Sequence, residues 1–365
     1  MGRPRGEASP RNAQWGPQRA ALARRAILGL AVPGLAFRTS RVAFARRAFL
    51  ELALSGRVFM STLSRRVLLG LAVSLSLLAA ATVPERALAC TLWALSGPDA
   101  AGGGTFLAKN RDFTPDHPNI LAVISPKSGY RMVSLVSIAP DGRRSPVGGV
   151  NEKGLAFVGA TVGTLSRQER RERIRQEGLL NPARTILSGF SSVAGLEAAP
   201  ELLARLGPVF ALVADAREVA VLESAGGSFR LWKMPPGSPA VHTNHPLSAD
   251  FPEIRSREDA QGSSVRLERM RHLLEGLPRP VSFADFAALA QDRCCGPDES
   301  IFRTGSSLKK PRTLAALAIS LPPGGGAATV QVSLSNPGAA VENKTLLLDA
   351  DFWKNAPPPG AMREL

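Results

Sequence analysis

Residues 87–96 read Ala-Leu-Ala-Cys-Thr-Leu-Trp-Ala-Leu-Ser, and Cys90 sits at the seam between two kinds of sequence. Before it, Met60-Ser-Thr-Leu-Ser-Arg65-Arg66 leads into an apolar run from Val67 to Ala81, and the segment closes on Ala87-Leu88-Ala89. A basic start, an apolar middle and a small-residue end are the layout of an export leader. The apolar run is too short for a membrane-spanning helix, which needs ~20 residues. After the seam, Cys90 to Ser96 alternates as a strand does. Cleavage after Ala89 leaves Cys90 first in the mature chain, with a thiol and a free α-amine on one residue. Those groups have ordinary pKa values of ~8.5 and ~7.7–8.0, so the amine can take the thiol proton near neutral pH. A cysteine after a leader also fits a lipid anchor, or a residue without special chemistry. The anchor fits poorly, because Leu88 is not three places before Cys90.

Charge divides the chain at the same place. Residues 1–59 hold 11 Arg and two Glu, a net of +9, and residues 60–89 add +2; of the formal +15, only +4 belongs to residues 90–365. That is too mild to argue for a nucleic-acid partner. The expected organisation follows. Residues 1–59 are a non-native or disordered extension, or a genuine targeting segment, upstream of a complete signal that starts at Met60. Residues 60–89 are a twin-arginine-like signal peptide. Residues 90–355 form one domain, and 356–365 a loose, proline-rich tail. The expected location is periplasmic or secreted, with membrane contact only through the leader. The cysteines are Cys90, Cys294 and Cys295. Adjacent cysteines rarely pair without strain, so the chain is no disulfide scaffold, and Cys294 and Cys295 read as structural.

Beyond the seam, strand patterns run from Cys90 to Val162: Cys90–Ser96, Thr105–Asn110, Ile120–Ser125, Tyr130–Ala139, Val147–Val150 and Leu155–Val162. Turns at Asp141-Gly142 and Glu152-Lys153-Gly154 join the later ones. Ser166–Glu177 is densely charged and reads as a solvated helix or a flap near the site. Asn181–Phe190 and Ser192–Leu206 read as helices, and Pro208–Asp215, Val219–Ser224 and Phe229–Lys233 as strands. Two helices are expected at Ser263–Leu274 and Ser282–Gln291, the second capped by Ser282 with Asp285. Leu314–Leu321, Thr329–Ser335 and Lys344–Asp349 complete the strands. Strands and helices come in blocks, not in regular alternation, which favours segregated layers over a doubly wound parallel sheet.

Catalysis, if present, rests on Cys90. A thiol nucleophile needs a base, an oxyanion donor and substrate anchors. The freed amine is its own base. Amide side chains at strand ends suit the oxyanion, because they need no change of charge; Asn110, Asn151 and Asn244 stand at such places. Arg111 and Asp112 follow Asn110 and are candidates to hold the amine. Rival chemistries lack their motifs: no Gly-x-Ser-x-Gly, no His-Glu-x-x-His and no phosphate-cradling Gly-x-x-x-x-Gly-Lys occurs. Of the four histidines, His117, His242, His245 and His272, only His242 and His245 suggest a metal pair or a partner for Cys90, and a turn histidine is more often structural. No metal and no cofactor are expected.

Five stretches occur in a familiar order: Cys90-Thr-Leu, Ala108-Lys-Asn-Arg-Asp-Phe113, Gly149-Val-Asn-Glu-Lys-Gly-Leu155, Thr243-Asn-His245 and Ser263-Ser-Val-Arg266. Together they resemble the N-terminal-nucleophile hydrolases of linear amides: choloylglycine hydrolases, acid-ceramidase-like amidases and isopenicillin-N (acyl-CoA:6-aminopenicillanic acid) acyltransferases. The carcinine-hydrolase-like branch of the last is the nearest likeness, over about residues 90–340. The resemblance implies an α+β fold, an αββα sandwich of two antiparallel sheets with helices on both outer faces. It implies an exported hydrolase of linear amides working through a Cys90 thioester, or an acyltransferase moving an acyl group to a small amine, with a small-molecule amide as partner. It implies Cys90 as nucleophile, its amine as base, Asp112 as the carboxylate on that amine, Asn244 in the oxyanion hole and Arg266 beside the cysteine. The departures are Lys109 and Thr161. Bile-salt hydrolases carry arginine where Lys109 stands, and their second asparagine falls near Thr161; both weaken the bile-salt reading. A non-catalytic alternative is similarity to the proteins named for Asn-Arg-Asp-Glu, against which Phe113 stands in the fourth place.

Overall fold

Cys90 opens the first strand of the computed structural model, which describes residues 90–249, 251 and 261–365. The extension 1–59 and the leader 60–89 lie outside the described residues. In chain order the first elements are β1 (Cys90–Ser96), β2 (Thr105–Phe113), β3 (Asn119–Ile124), β4 (Met132–Ile138), β5 (Arg144–Asn151) and β6 (Ala156–Ala160). A helical block follows: α1 (Arg167–Gln176), α2 (Pro182–Gly189), α3 (Val193–Glu197) and α4 (Pro200–Ala204). Then come β7 (Val209–Ala214), β8 (Val219–Ser224), β9 (Phe229–Lys233), β10 (Ala240–His242), α5 (Gln261–Glu275), α6 (Phe283–Ala288) and α7 (Gly296–Glu299). The chain closes with β11 (Arg312–Leu321), β12 (Ala328–Leu334), β13 (Glu342–Leu348), α8 (Ala350–Lys354) and β14 (Met362–Glu364).

Two antiparallel sheets result. One runs β10-β1-β2-β11-β12-β13, the other β14-β3-β4-β5-β6-β7-β8-β9. Side chains alternate across each strand, so every central strand feeds two apolar layers. Leu92, Ala94 and Leu107 point between the sheets, where they meet Leu121, Val158 and Leu212. Trp93, Leu95, Phe106 and Ala108 point outward, onto Leu267 and Met270 of α5 and Phe286 of α6. On the far side, Ile186, Leu196 and Leu203 of α2, α3 and α4 cover the outer face of the second sheet. The layers are therefore helix, sheet, sheet, helix, the α+β sandwich expected.

The structure corrects three sequence-based expectations. β2 does not stop at Asn110 but runs on through Phe113, paired with β11 as far as Arg312. The helix over Ser192–Leu206 is two, broken where Pro200 starts α4 without a helical N–H. The tail 356–365 is not loose: Met362–Glu364 pairs with β3 and caps the second sheet, and the Leu365 amide donates to the Leu121 carbonyl. Prolines before a strand stop local structure but do not prevent pairing at an edge. The charged stretch at 166–177 is a helix with a complete capping box between Ser166 and Glu169.

Candidate active site

β1 and β2 pair with Cys90 opposite Arg111, which puts both side chains on the face between the sheets. The next residue, Asp112, faces the other way, toward the layer of α5. Running β2 past Asn110 is what separates these neighbours, one to each face.

Cys90 is buried, and its backbone is held on both sides. Its N–H donates to Asn244 Oδ1 at 2.7 Å. Its carbonyl accepts from Arg266 Nη1 at 2.7 Å, and the same nitrogen reaches Thr91 Oγ1 at 3.1 Å. Arg266 Nη2 touches Asn244 Oδ1 at 3.3 Å. The thiol lies 4.0 Å from the Asp112 carbonyl. α5 thus reaches under the start of β1 with one guanidinium, ordering the residue that carries the thiol.

Asn244 is gripped from several directions. Its Nδ2 donates to the Thr161 carbonyl at 2.8 Å, its N–H to Ser263 Oγ at 2.8 Å, and its carbonyl accepts from Gly163 N–H at 2.8 Å. Ser263 Oγ also meets Thr243 Oγ1 and His245 Nδ1. One strand earlier, His242 Nε2 sits 2.9 Å from Glu223 Oε1, both fully buried, with the ring stacked on Phe210. Glu223 also accepts from the N–H groups of Leu247 and Ser248, so this buried pair staples the loop after β10. The histidines weighed as a metal pair have these partners instead, and burial pulls His245 down to about 4.

Asp112 is fully buried. Oδ1 accepts from Thr313 Oγ1 at 2.7 Å, whereas Oδ2 has no partner. Burial raises its pKa, opposed by Arg303, Arg266, the Thr313 hydrogen bond and Arg111. Burial lowers Arg266 to about 10, with Asp112 pulling the other way. The site is a cluster of buried charges around one unmet carboxylate oxygen. An orphaned buried acceptor is costly, so this oxygen asks for a physical explanation.

Lys109 crosses the sandwich. From β2 its ammonium bonds the Val147 carbonyl at 3.1 Å and the Gly159 carbonyl at 2.5 Å, both on the facing sheet. Gly148 leaves room for it: a Cβ there would come within 3.3 Å of the Lys109 Cδ. Burial brings the ammonium down to about 8, with the Cys90 thiol pulling the other way and Arg111 assisting the fall.

The structure brings together Cys90, Asp112, Asn244 and Arg266, with Arg111 and the Thr161 carbonyl beside them. It does not bring Asn110 or Asn151 to the thiol. Asn110 points to the helical side and donates to the carbonyls of Ala290 and Ile301 at 2.8 Å each. Asn151 builds its own turn: Nδ2 donates to Leu187 and Phe190 carbonyls, and Oδ1 accepts from Lys153 and Leu155. Neither is an oxyanion donor. Thr161 contributes its backbone oxygen. Sequence reasoning missed Thr313 and Arg303. Thr313 lies just before the strand pattern expected at Leu314–Leu321 and Arg303 lies in an aperiodic loop, so only pairing across the sheet reveals them.

No curated protein matches the chain. Among solved structures, a variant of conjugated bile acid hydrolase from Clostridium perfringens aligns at 14% identity over 76% of this chain and 96% of that one, with a TM-score of 0.45. Penicillin V acylase from Agrobacterium tumefaciens aligns at 14% identity over 76% and 91%, TM-score 0.45. The Caenorhabditis elegans ortholog of N-acylethanolamine-hydrolyzing acid amidase aligns at 11% identity over 65% and 95%, TM-score 0.43. The family described as acyl-coenzyme A:6-aminopenicillanic acid acyl-transferase matches residues 100–337. Because that match covers well over half of the chain, the protein belongs to this acyl-transferase family.

Proposed function

We propose that the chain is an exported amidohydrolase in which Cys90, freed at its amino end, opens linear amides through a thioester. The observation that carries this reading is the unmet Oδ2 of buried Asp112 beside the residue whose nitrogen would become an amine. While Cys90 is joined to Ala89 its nitrogen is an amide and has no basic lone pair. Removal of the leader turns it into an amine with donors to offer that oxygen.

The reaction then balances as follows. The amine takes the thiol proton and the thiolate attacks the amide carbonyl carbon. The oxyanion that forms accepts from the second Nδ2 hydrogen of Asn244, whose first is fixed on Thr161. The C–N bond breaks as the ammonium returns its proton to the leaving nitrogen. Water, deprotonated by the same amine, cleaves the thioester and restores the thiol. Acyl transfer differs only in the last step, where an amine replaces water.

Three measurements test the proposal. Intact mass of the exported protein should give a chain starting at Cys90; any other amino terminus removes the amine from the mechanism. Cys90→Ser should lose at least ~100-fold in kcat on amide substrates, and undiminished turnover would remove the thiol. Hydroxylamine added during turnover should divert the thioester to a hydroxamate, and its yield relative to added amines separates hydrolysis from transfer.

A further inference from the structure

A cavity of about 380 Å³ opens beside Arg111, and its lining has one sign. Six cations line it, Lys109, Arg111, Arg143, Arg167, Arg170 and Arg171, and its lining includes no carboxylate. Several of the six are fixed by protein partners. Lys109 is held by the Val147 and Gly159 carbonyls, Arg143 pairs with Asp141, and Arg170 bonds the Val162 carbonyl at 3.0 Å. Arg111 differs. It is only 5% exposed, its hydrogen bond to Ser137 Oγ is long at 3.4 Å, and its Nε is buried with no partner. The Phe113 ring, 3.9 Å from the guanidinium carbon, holds the group flat. Arg111 stands opposite Cys90 in the strand register.

A guanidinium kept dry with a donor unmet is unfavourable, unless a ligand completes it. Its planar fork matches a carboxylate, which it binds through two parallel hydrogen bonds. The cations further out add a field that draws anions toward the opening, and the walls between them include Phe157 and Val209. Resting on the amidase reading, we propose that Arg111 anchors a carboxylate of the substrate, so that the amide taken is an anion with an apolar body. Because Arg111 is the register partner of the nucleophile, the carboxylate lies close to the scissile bond, as in an N-acyl amino acid and not in a chain with a distant acid.

The test pairs each acyl group of a panel (phenylacetyl, octanoyl, benzoyl) with glycine and with glycinamide, which differ only in the charge next to the cleaved bond. On protein starting at Cys90, kcat/KM for the glycine conjugates should exceed that for the glycinamides by roughly ten- to hundredfold, the range of a charge-assisted hydrogen bond. Arg111→Gln should bring this ratio toward one, and Arg111→Lys should keep part of it. The ratio is unmoved by a general loss of activity or of folded protein. A second arm measures equilibrium binding of the same pairs to the Cys90→Ser variant by calorimetry. Turnover without preference for the acid overturns the anchor and leaves the amidase reading standing. Preferential binding of the acid by Cys90→Ser, lost in the double variant with Arg111→Gln but accompanied by no turnover of the unsubstituted protein, keeps the anchor and overturns the amidase. Neither binding nor turnover of any conjugate overturns both.

Discussion

Lys109 and Asp112 are adjacent on β2 but for two residues, and the charge of each can be read out through pH. Burial holds Lys109 at about 8 in the folded chain, against 10.5 when exposed. Between those values the unfolded chain binds more protons than the folded one, so stability rises with pH across roughly 8 to 10.5. Below about pH 8 the full cost of a buried ammonium applies, on the order of 3 kcal/mol. Lys109→Met removes the ionisable group and should flatten that rise, as urea melts at pH 7, 9 and 10 would show. Asp112 acts on the proposed base. An ionised carboxylate favours the ammonium form of a neighbouring amine, so Asp112→Asn should lower the amine's pKa. The acid limb of the kcat/KM profile should then move to lower pH, with plateau activity down by roughly 10- to 1000-fold as the amine loses its fixed orientation. An acid limb that stays put would mean that the carboxyl does not act through the amine.

At the scale of elements, the site depends on how the end of β6 meets the loop after β10. Gly163 donates to the Asn244 carbonyl, and a Cβ at 163 would come within 2.9 Å of that oxygen and 3.0 Å of the Asn244 Cβ. Gly163→Ala should therefore push Asn244 off its position, costing roughly tenfold to 100-fold in kcat, because small displacements near reacting atoms are expensive. Steady-state kinetics beside a thermal melt would separate this from global loss of stability. Most strands were legible from period and turn residues, because apolar layers on both sides of a sheet leave an unbroken apolar signature. The extent of β2 was not. Arg111 and Asp112 look like loop residues, and only the ladder with β11 makes them strand. The same blindness sent Asn110 to the wrong side: a residue type fits an oxyanion hole, but the face it occupies is fixed by parity along a strand whose end was misread.

At the scale of the molecule, the sandwich makes sense of the proposed nucleophile at the first residue of the first strand. β1 is second in its sheet, with β10 and β2 on either side, and Cys90 is fixed by its ladder with β2, by the Asn244 side chain beyond the end of β10 and by Arg266 from α5. Order there comes from the whole domain, whereas the base depends on a single covalent bond. The seam at Ala89-Cys90 was readable because a leader and a strand differ in composition. Thr313 and the unmet oxygen of Asp112 were not, since Asp112 meets Thr313 from a strand 201 residues further along the sequence. The separation of fold and base gives a sharp expectation. A chain beginning at Cys90 and one with a single glycine added before it should melt within a few degrees of each other, because the packed layers are the same. The added residue keeps the Cys90 nitrogen an amide, moves the free amine a residue away from Asp112, and should lower kcat/KM by roughly 100- to 10,000-fold, the usual worth of a positioned general base. Equal activity of the two chains would show that the thiol draws its base from elsewhere, and the buried charges around Asp112 would then need a different explanation.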